Sequence, residues 1–228
     1  MKIGILLSGC GVYDGAEIQE TVLAMLAIEE FGAEYVCIGV DKDQQHVINH
    51  LTGEEMAETR NMKIEAARMA RGEVIDISKI TPANIDALVI PGGFGSAKNF
   101  TDWAFNGSNG HILPEVKLLL VNLINAGKPI CALCVSPIVL AKAFEDSEIK
   151  PKLTLGTSQE TSPYEINNFH SGIEQTGALT VEKTVREILT DEVYKIVTAP
   201  CYMMEANILE IRNNIKSAIQ KTIDLAKV

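Results

Sequence analysis

The sequence has no apolar run long enough to cross a membrane, and it has fewer basic than acidic residues. Its longest apolar candidate, Ile130 to Phe144, is interrupted by Pro137 and Lys142, whereas a membrane-spanning helix needs about 20 apolar residues. The 20 Lys and Arg residues against 30 Asp and Glu residues give a formal charge of −10, which repels the phosphate backbone of a nucleic acid. We therefore predict a cytoplasmic protein that binds neither membranes nor nucleic acids.

A disulfide framework is also missing, because the five cysteines are an odd number and most lie in or beside apolar runs. Cys131 and Cys134 form a C-x-x-C pair, but Cys131 lies inside a predicted strand, where it would not share the exposed geometry of a thiol-exchange site. No second pair or neighbouring His supplies further metal ligands. We predict no metal site.

Short apolar runs alternate with amphipathic stretches, and no repeat or linker divides the chain. This alternation predicts an α/β fold with a mostly parallel sheet, in one domain over residues 1–228. Functional sites of such sheets collect at the carboxyl ends of the strands. The predicted strands are Ile3–Leu7, Tyr35–Val40, Ala87–Ile90 and Ile130–Leu133, and the predicted helices are Ala16–Phe31, Glu58–Arg71, Pro114–Ala126, Pro137–Phe144 and about Glu205–Lys227.

Two segments carry more detailed predictions. In the first helix the spacing of Ile18, Val22, Met25, Leu26 and Glu29 predicts one apolar and one charged face. Residues Thr157 to Ser171 are rich in Ser, Thr, Asn and Pro, a composition that predicts a long surface loop. Such a loop is either disordered or covers a site.

Cys134 stands between a predicted strand and a helix that begins at about Ser136 and Pro137. A tight turn there would project the sulfur above the sheet, where the helix N-terminus lowers a thiol pKa. A thiolate in that position attacks carbonyl carbon. The alternative is a buried cysteine with a structural role only.

The segment from Ser8 to Glu17 follows the first strand and opens the first helix. Gly9, Gly11 and Gly15 imitate a dinucleotide-binding motif, but their spacing is one residue too long for it. We therefore predict no nucleotide cofactor. Glu17 would lie at the same sheet edge as Cys134, where a carboxyl can shuttle protons for the thiol; the alternative is a Glu that only stabilises the helix dipole.

Glycines follow the strand that ends at Ile90. Gly92 and Gly93 let backbone N–H groups approach a ligand without interference from a Cβ atom. Together with the N–H of Val135, the N–H of Gly93 would form an oxyanion hole beside Cys134. A simple glycine turn is the alternative.

These features together resemble the PfpI superfamily of class I glutamine amidotransferase-like proteins, and within it the ElbB-like (enhancing lycopene biosynthesis, isoprenoid biosynthesis) family. The resemblance implies a flavodoxin-like three-layer sandwich, a homodimer, Cys134 as nucleophile with Glu17 as its partner, and a weak, cofactor-free glyoxalase activity. Asn49 and His50 belong to a family motif and are expected near the pocket. The motifs that carry the resemblance are Ser8–Gly15, Val47–Gly53, Glu58–Asn61, Pro91–Asn99 and Lys195–Pro200.

Two departures from related branches bear on function. Val135 occupies the position that a His takes in the protease-like branch, and no late H-x-E motif is present for a glutaminase triad. A third catalytic group would require His50 or His170 to fold back over the site. The leading hypothesis is therefore an enzyme that converts glyoxal or methylglyoxal to a hydroxy acid. A ligand- or redox-sensing regulator is the alternative, and a degenerate amidotransferase is the third hypothesis.

Overall fold

A central sheet organises the fold, which the computed structural model describes for residues 1–228. The nine strands are β1 (Lys2–Leu7), β2 (Glu34–Gly39), β3 (Val74–Asp76), β4 (Ala87–Ile90), β5 (Ile130–Leu133), β6 (Lys152–Leu153), β7 (Leu179–Thr180), β8 (Leu189–Asp191) and β9 (Ile196–Ala199). Seven of them form the sheet in the order β3-β2-β1-β4-β5-β9-β8. Only β8 runs antiparallel to its neighbour. The mostly parallel sheet that the sequence predicts is confirmed.

The central strands are continuous apolar runs because both of their faces are covered. Every residue of β4 and of β5 is buried. The structure reproduces the predicted bounds of both strands. The small parallel pair of β6 and β7 lies outside the main sheet.

Helices cover both faces of the sheet. They are α1 (Ile18–Glu30), α2 (Met62–Met69), α3 (Trp103–Asn106), α4 (Pro114–Asn125), α5 (Pro137–Phe144), α6 (Ile166–Gln175) and α7 (Ile208–Ala226). The connection from β1 to β2 runs toward one edge of the sheet, and the connection from β4 to β5 runs toward the other edge. Because both crossovers are right-handed, they place α1 and α4 on opposite faces of the sheet. Accordingly, α1 packs against α7, and α4 packs against α5. No helix is both long enough and apolar enough to span a membrane.

Only one residue of the predicted apolar face of α1, Met25, is buried. Ile18, Val22 and Leu26 are 45%, 49% and 46% exposed, respectively. Half of the six buried residues of α1 are small, and one is a carboxyl: Glu20, Thr21, Ala24, Met25, Ala27 and Ile28. Small side chains allow the helix to approach the sheet and α7 closely, so apolar spacing alone pointed to the opposite side.

Two other predicted segments are shorter or different in the structure. The helix predicted from Glu58 begins only at Met62, because the side chain of Asn61 caps it by accepting hydrogen bonds from the N–H groups of Lys63 and Ile64. The segment predicted as a loop from Thr157 to Ser171 is irregular only as far as Glu165, and its second half belongs to α6.

The order of the strands places a crevice between β1 and β4. The chain leaves these adjacent strands toward opposite edges of the sheet, which makes them the topological switch point where open α/β sheets bind ligands. The loops after β1, β4 and β5 meet at this crevice.

Candidate active site

Cys134 occupies a strained turn directly after β5. Its φ angle is +56°, a left-handed conformation that costs a non-glycine residue about 1–3 kcal/mol. The surrounding backbone holds it there, because the N–H of Cys134 donates to the carbonyl of Ala199 (2.9 Å) and the N–H of Ser136 donates to that of Leu133 (2.9 Å). Pro137 then begins α5. The geometry is that of a nucleophile elbow, and only 6% of Cys134 is exposed.

The carboxyl that contacts the sulfur belongs to Glu20. Its side chain is fully buried beside the Cys134 thiol, and each group affects the pKa of the other. Backbone amides hold both of its oxygens, since the N–H of Gly92 donates to Oε2 (2.8 Å) and the N–H of Tyr202 donates to Oε1 (3.3 Å). Glu20 is thereby fixed by chain segments that follow β4 and β9.

Gly92 leaves room for this pair. A Cβ atom on Gly92 would lie 2.4 Å from Cys134 Cβ and 2.5 Å from Glu20 Oε2, which is closer than real side chains approach. The sequence predicts Gly92 as part of a substrate-binding turn. The structure instead places it between the two reactive groups, with its N–H already bonded to Glu20.

The structure corrects the predicted partner of the thiol, which was Glu17. Glu17 is the N-cap of α1, and its carboxylate accepts the N–H of Glu20 at 2.6 Å. Its own N–H donates to the carbonyl of Gly92 (2.9 Å). Glu17 therefore ties the helix to the glycine turn, while Glu20, three residues later, turns toward the sulfur.

Burial decides the protonation of the pair. Desolvation, and then the negative charge of Glu17, raise the pKa of Glu20 from its ordinary 4.5 to about 8. Desolvation also raises the pKa of the Cys134 thiol, and the N–H groups of Val135 and Gly93 oppose that shift by bonding the sulfur. The sequence predicted a lowered thiol pKa from the helix N-terminus; that prediction is wrong because the cost of burial outweighs the dipole.

Two backbone amides converge on the sulfur, and they belong to the two residues predicted as oxyanion donors. The N–H groups of Gly93 and Val135 both act to lower the pKa of the Cys134 thiol. Gly93 has a φ angle of +94°, and a Cβ atom there would lie 2.4 Å from the carbonyl oxygen of Gly15. Only glycine fits this turn. Stabilisation of an oxyanion by these groups stays a prediction.

A narrow cavity of about 20 Å³ opens onto the thiol. Its wall is mostly apolar and aromatic. Tyr164 precedes α6 and Phe169 lies within it, so the segment predicted as a loop does cover the site. The lining residues are Val12, Glu17, Gly93, Phe94, Cys134, Val135, Tyr164, Phe169, Tyr202 and Met203.

Residues 10–145 of this chain match the family model described as "DJ-1/PfpI family". The match covers more than half of the chain and includes the elbow, Glu20 and the Gly92 turn. The chain belongs to the DJ-1/PfpI family.

Relatives with greater sequence similarity cover nearly the whole chain. The human "Glutamine amidotransferase-like class 1 domain-containing protein 3, mitochondrial" is 36% identical over 98% of this chain and 83% of its own length. The rat "ES1 protein homolog, mitochondrial" is 35% identical over 98% of this chain and 84% of its own length. A crystal structure from Ehrlichia chaffeensis, described as an isoprenoid biosynthesis protein with an amidotransferase-like domain, has a TM-score of 0.89 at 33% identity and covers 99% of both chains. The similarity to this last structure supports the predicted ElbB-like resemblance.

In this DJ-1/PfpI protein the motif around Asn49 and His50 does not line the cavity. Asn49 caps a surface turn by accepting the N–H of Leu51 (3.0 Å). His50 accepts the N–H of Tyr13 at 3.2 Å through Nε2, and its ring lies 4.9 Å from the ring of Tyr13. The motif therefore supports the loop after β1. The expectation that these two residues lie at the pocket is wrong, because sequence motifs mark scaffold and site residues alike.

No histidine replaces the third member of a triad. His46, His111 and His50 lie outside the cavity wall, and so does His170, which is buried on α6 with no hydrogen-bond partner for Nε2. No three His, Cys, Asp or Glu side chains are grouped so as to hold a metal ion. The reactive groups of this DJ-1/PfpI site are therefore one thiol, one buried carboxyl and two amides.

The residues that the sequence did not reveal are Glu20 and the aromatic cover. Glu20 was detectable in principle, because it lies one helical turn beyond Glu17 on a face of small residues that must be buried. Tyr164 and Phe169 carry no such signal, since the segment between β6 and β7 has no sustained period.

Proposed function

We propose that this protein is a cofactor-independent glyoxalase that converts glyoxal or methylglyoxal to a hydroxy acid. The observation that carries the proposal is the convergence of Cys134, Glu20 and the amides of Gly93 and Val135 at the base of a small apolar cavity. A thiol beside a carboxyl and two backbone N–H groups is suited to adding to an aldehyde and stabilising the resulting oxyanion.

The first step forms a bond between Cys134 Sγ and the aldehyde carbon. The Glu20 carboxylate takes the thiol proton as the sulfur attacks, and the carbonyl π electrons move to the oxygen, which faces the amides of Gly93 and Val135. Glu20 then returns the proton to that oxygen, which leaves a thiohemiacetal and a carboxylate. The predicted role of Glu17 as proton carrier passes to Glu20, because Glu20 is the carboxyl that reaches the sulfur.

The second stage moves a hydrogen between the two carbons of the substrate. The Glu20 carboxylate removes the proton from the former aldehyde carbon, and the resulting enediol is reprotonated on the neighbouring carbon. A thioester of the hydroxy acid results. Water hydrolyses it, so that Cys134 is released and the sum is one dicarbonyl plus one water to one hydroxy acid.

The protonation of the pair limits the rate of this chemistry. The attack requires that Cys134 and Glu20 together have lost one of their two protons. Because the pKa of Glu20 is about 8, only a minority of molecules have lost that proton at neutral pH. We therefore propose a slow enzyme. A redox sensor would need a thiol that ionises easily, whereas the pKa of Cys134 is raised.

The test is production of hydroxy acid from methylglyoxal and glyoxal by the purified protein, beside the variants Cys134→Ala, Glu20→Gln and Glu17→Gln. Glutamine serves as a further substrate, with ammonia as the readout for an amidotransferase. The proposal expects acid production that is lost without Cys134 and strongly reduced without the Glu20 carboxyl. Equal acid production by all four proteins would refute it, and selective oxidation of Cys134 by peroxide would then favour the sensor.

We also propose a homodimer in the cytoplasm. The exposed apolar stripe of Ile18, Val22 and Leu26 on α1 is the surface that a second copy would cover. Light scattering on the wild type and a Val22→Glu variant tests the dimer, which a monomeric wild type would exclude. Fractionation of the native cells tests the compartment. The test matters because the names of two relatives include the word mitochondrial.

A further inference from the structure

The charges around the cavity are all of one sign. None of its ten lining residues is Lys, Arg or His, and Glu17 is the one carboxyl among them. A second carboxyl, Glu20, lies directly behind the thiol. A ligand that enters therefore meets carboxyl oxygens and aromatic rings but no cationic side chain.

The backbone donors at the site are already engaged. The N–H groups of Gly92 and Tyr202 bond Glu20, and those of Gly93 and Val135 point at the sulfur, where the reacting oxygen would be placed. None of these four N–H groups is left free for a second anionic group, such as a carboxylate or phosphate carried by the substrate.

One basic residue, Lys98, lies close to the cavity wall but does not line the cavity. Lys98 Nζ lies 5.8 Å from the centre of the Phe94 ring. It donates to the carbonyl of Tyr13 at 2.9 Å, and it is not part of the cavity lining. Lys98 thus stabilises the loop after β1 instead of offering a charge to a ligand.

We propose that Glu17 is a specificity-determining residue that makes the cavity accept neutral carbonyl compounds and reject anionic ones. A carboxylate on the ligand would sit in an apolar cavity beside the Glu17 carboxyl, where repulsion between like charges is poorly screened. The substrate class is then a neutral small aldehyde or dicarbonyl, and 2-oxo acids and sugar phosphates are excluded. This inference rests on the proposed function for the carbonyl group, but the rejection of anions is a property of the cavity itself.

Alkylation of Cys134 tests the charge selection without any turnover. Iodoacetamide and iodoacetate are nearly the same size and differ in charge; each forms a C–S bond to the thiol and releases iodide. Their rates at Cys134 are followed by peptide mass spectrometry, which separates Cys134 from the other four cysteines, and each rate is divided by the rate with 2-mercaptoethanol. The proteins are the wild type, Glu17→Gln, and Glu29→Gln as a control that removes one exposed charge from the same helix.

The expected result is an iodoacetate rate at least about tenfold below the iodoacetamide rate in the wild type, after normalisation. This ratio should rise several-fold toward one in Glu17→Gln and stay unchanged in Glu29→Gln. A wild-type ratio near one, or a ratio that Glu17→Gln does not change, overturns the inference. The proposed function fails separately, if neutral dicarbonyls yield no hydroxy acid while the alkylation ratio persists.

Discussion

Glu17 and Glu20 are three residues apart at the start of one helix, yet the fold gives them different environments. Glu17 caps α1 and faces the cavity, and its pKa is raised mainly by partial burial. Glu20 is fully enclosed against Cys134, and its pKa rises to about 8. The comparison shows that proximity to the reactive edge of the sheet does not select the working carboxyl. The carboxyl that acts on the thiol is the one that the first turn of α1 directs beneath Gly92.

Removing the thiol should have the largest effect, because neither carboxyl can act on a carbonyl without it. We expect Cys134→Ala to lower hydroxy-acid formation from methylglyoxal to the rate without protein, as measured by chromatography of the product. Cys131→Ala is the matched control, since Cys131 is buried in β5 and burial raises its pKa to about 12. Retained activity in Cys134→Ala would show that the thiol is not the nucleophile, and the comparison of Glu17 with Glu20 as its partner would then have no basis.

The next largest effect should separate Glu20 from Glu17. Glu20→Gln keeps the shape of the side chain but cannot accept the thiol proton, so we expect kcat/KM for methylglyoxal to fall about 100-fold. Glu17→Gln should lower it less than about tenfold, because Gln still accepts the N–H of Glu20 at the helix start. Steady-state kinetics on both variants decide the order, and a larger loss in Glu17→Gln would reverse our assignment.

A methyl group at Gly92 should disturb Glu20 and spare Glu17. Gly92→Ala places a Cβ atom between Glu20 Oε2 and Cys134, so we expect a loss of about 1–3 kcal/mol in the free energy of unfolding, together with lost activity. Gly32→Ala is the control, because its site is open and only its positive φ angle is strained. Urea unfolding measures the free energy of unfolding of both variants. Full activity in Gly92→Ala would show that the pair does not need the observed contact.

The pH dependence of stability should distinguish the carboxyls more finely. The pKa of Glu20 is raised in the folded state, so its favourable contribution is present below about pH 4.5 and is lost as the pH rises through about 8. We expect the wild-type melting temperature to fall over that range and the fall to shrink in Glu20→Gln. Glu17→Gln should change the slope less. Parallel curves for wild type and Glu20→Gln would contradict the raised pKa.

The sequence predicted the parts of the site that depend on strand ends. Cys134 follows a short apolar run and precedes a proline, and the glycines after Ile90 follow a similar run, so both turns could be placed on the sheet edge before any coordinates. Periodicity did less well for α1, because only half of its buried residues are large and one of those is a carboxyl. An apolar count favours large side chains and therefore selected the exposed stripe.

The remaining features depend on contacts between distant segments, which local patterns do not encode. Glu20 gains its raised pKa from burial beneath segments near Gly92 and Tyr202, about 70 and 180 residues further along the chain. The motif around His50 looked like a ligand site but supports a neighbouring loop. Tyr164 and Phe169 cover the cavity only because the segment between the small strands folds back over it, where the Tyr164 ring lies 5.9 Å from the Phe94 ring.

The measurement that tests the central assignment most directly is the pH profile of kcat/KM for methylglyoxal in the wild type, Glu17→Gln and Glu20→Gln. If Cys134 and Glu20 share one proton in the active form, the wild-type rate rises through an inflection near pH 8. We predict that this inflection persists in Glu17→Gln and disappears in Glu20→Gln. An inflection that survives in Glu20→Gln, or vanishes in Glu17→Gln, would contradict the assignment of Glu20 as the partner of the thiol.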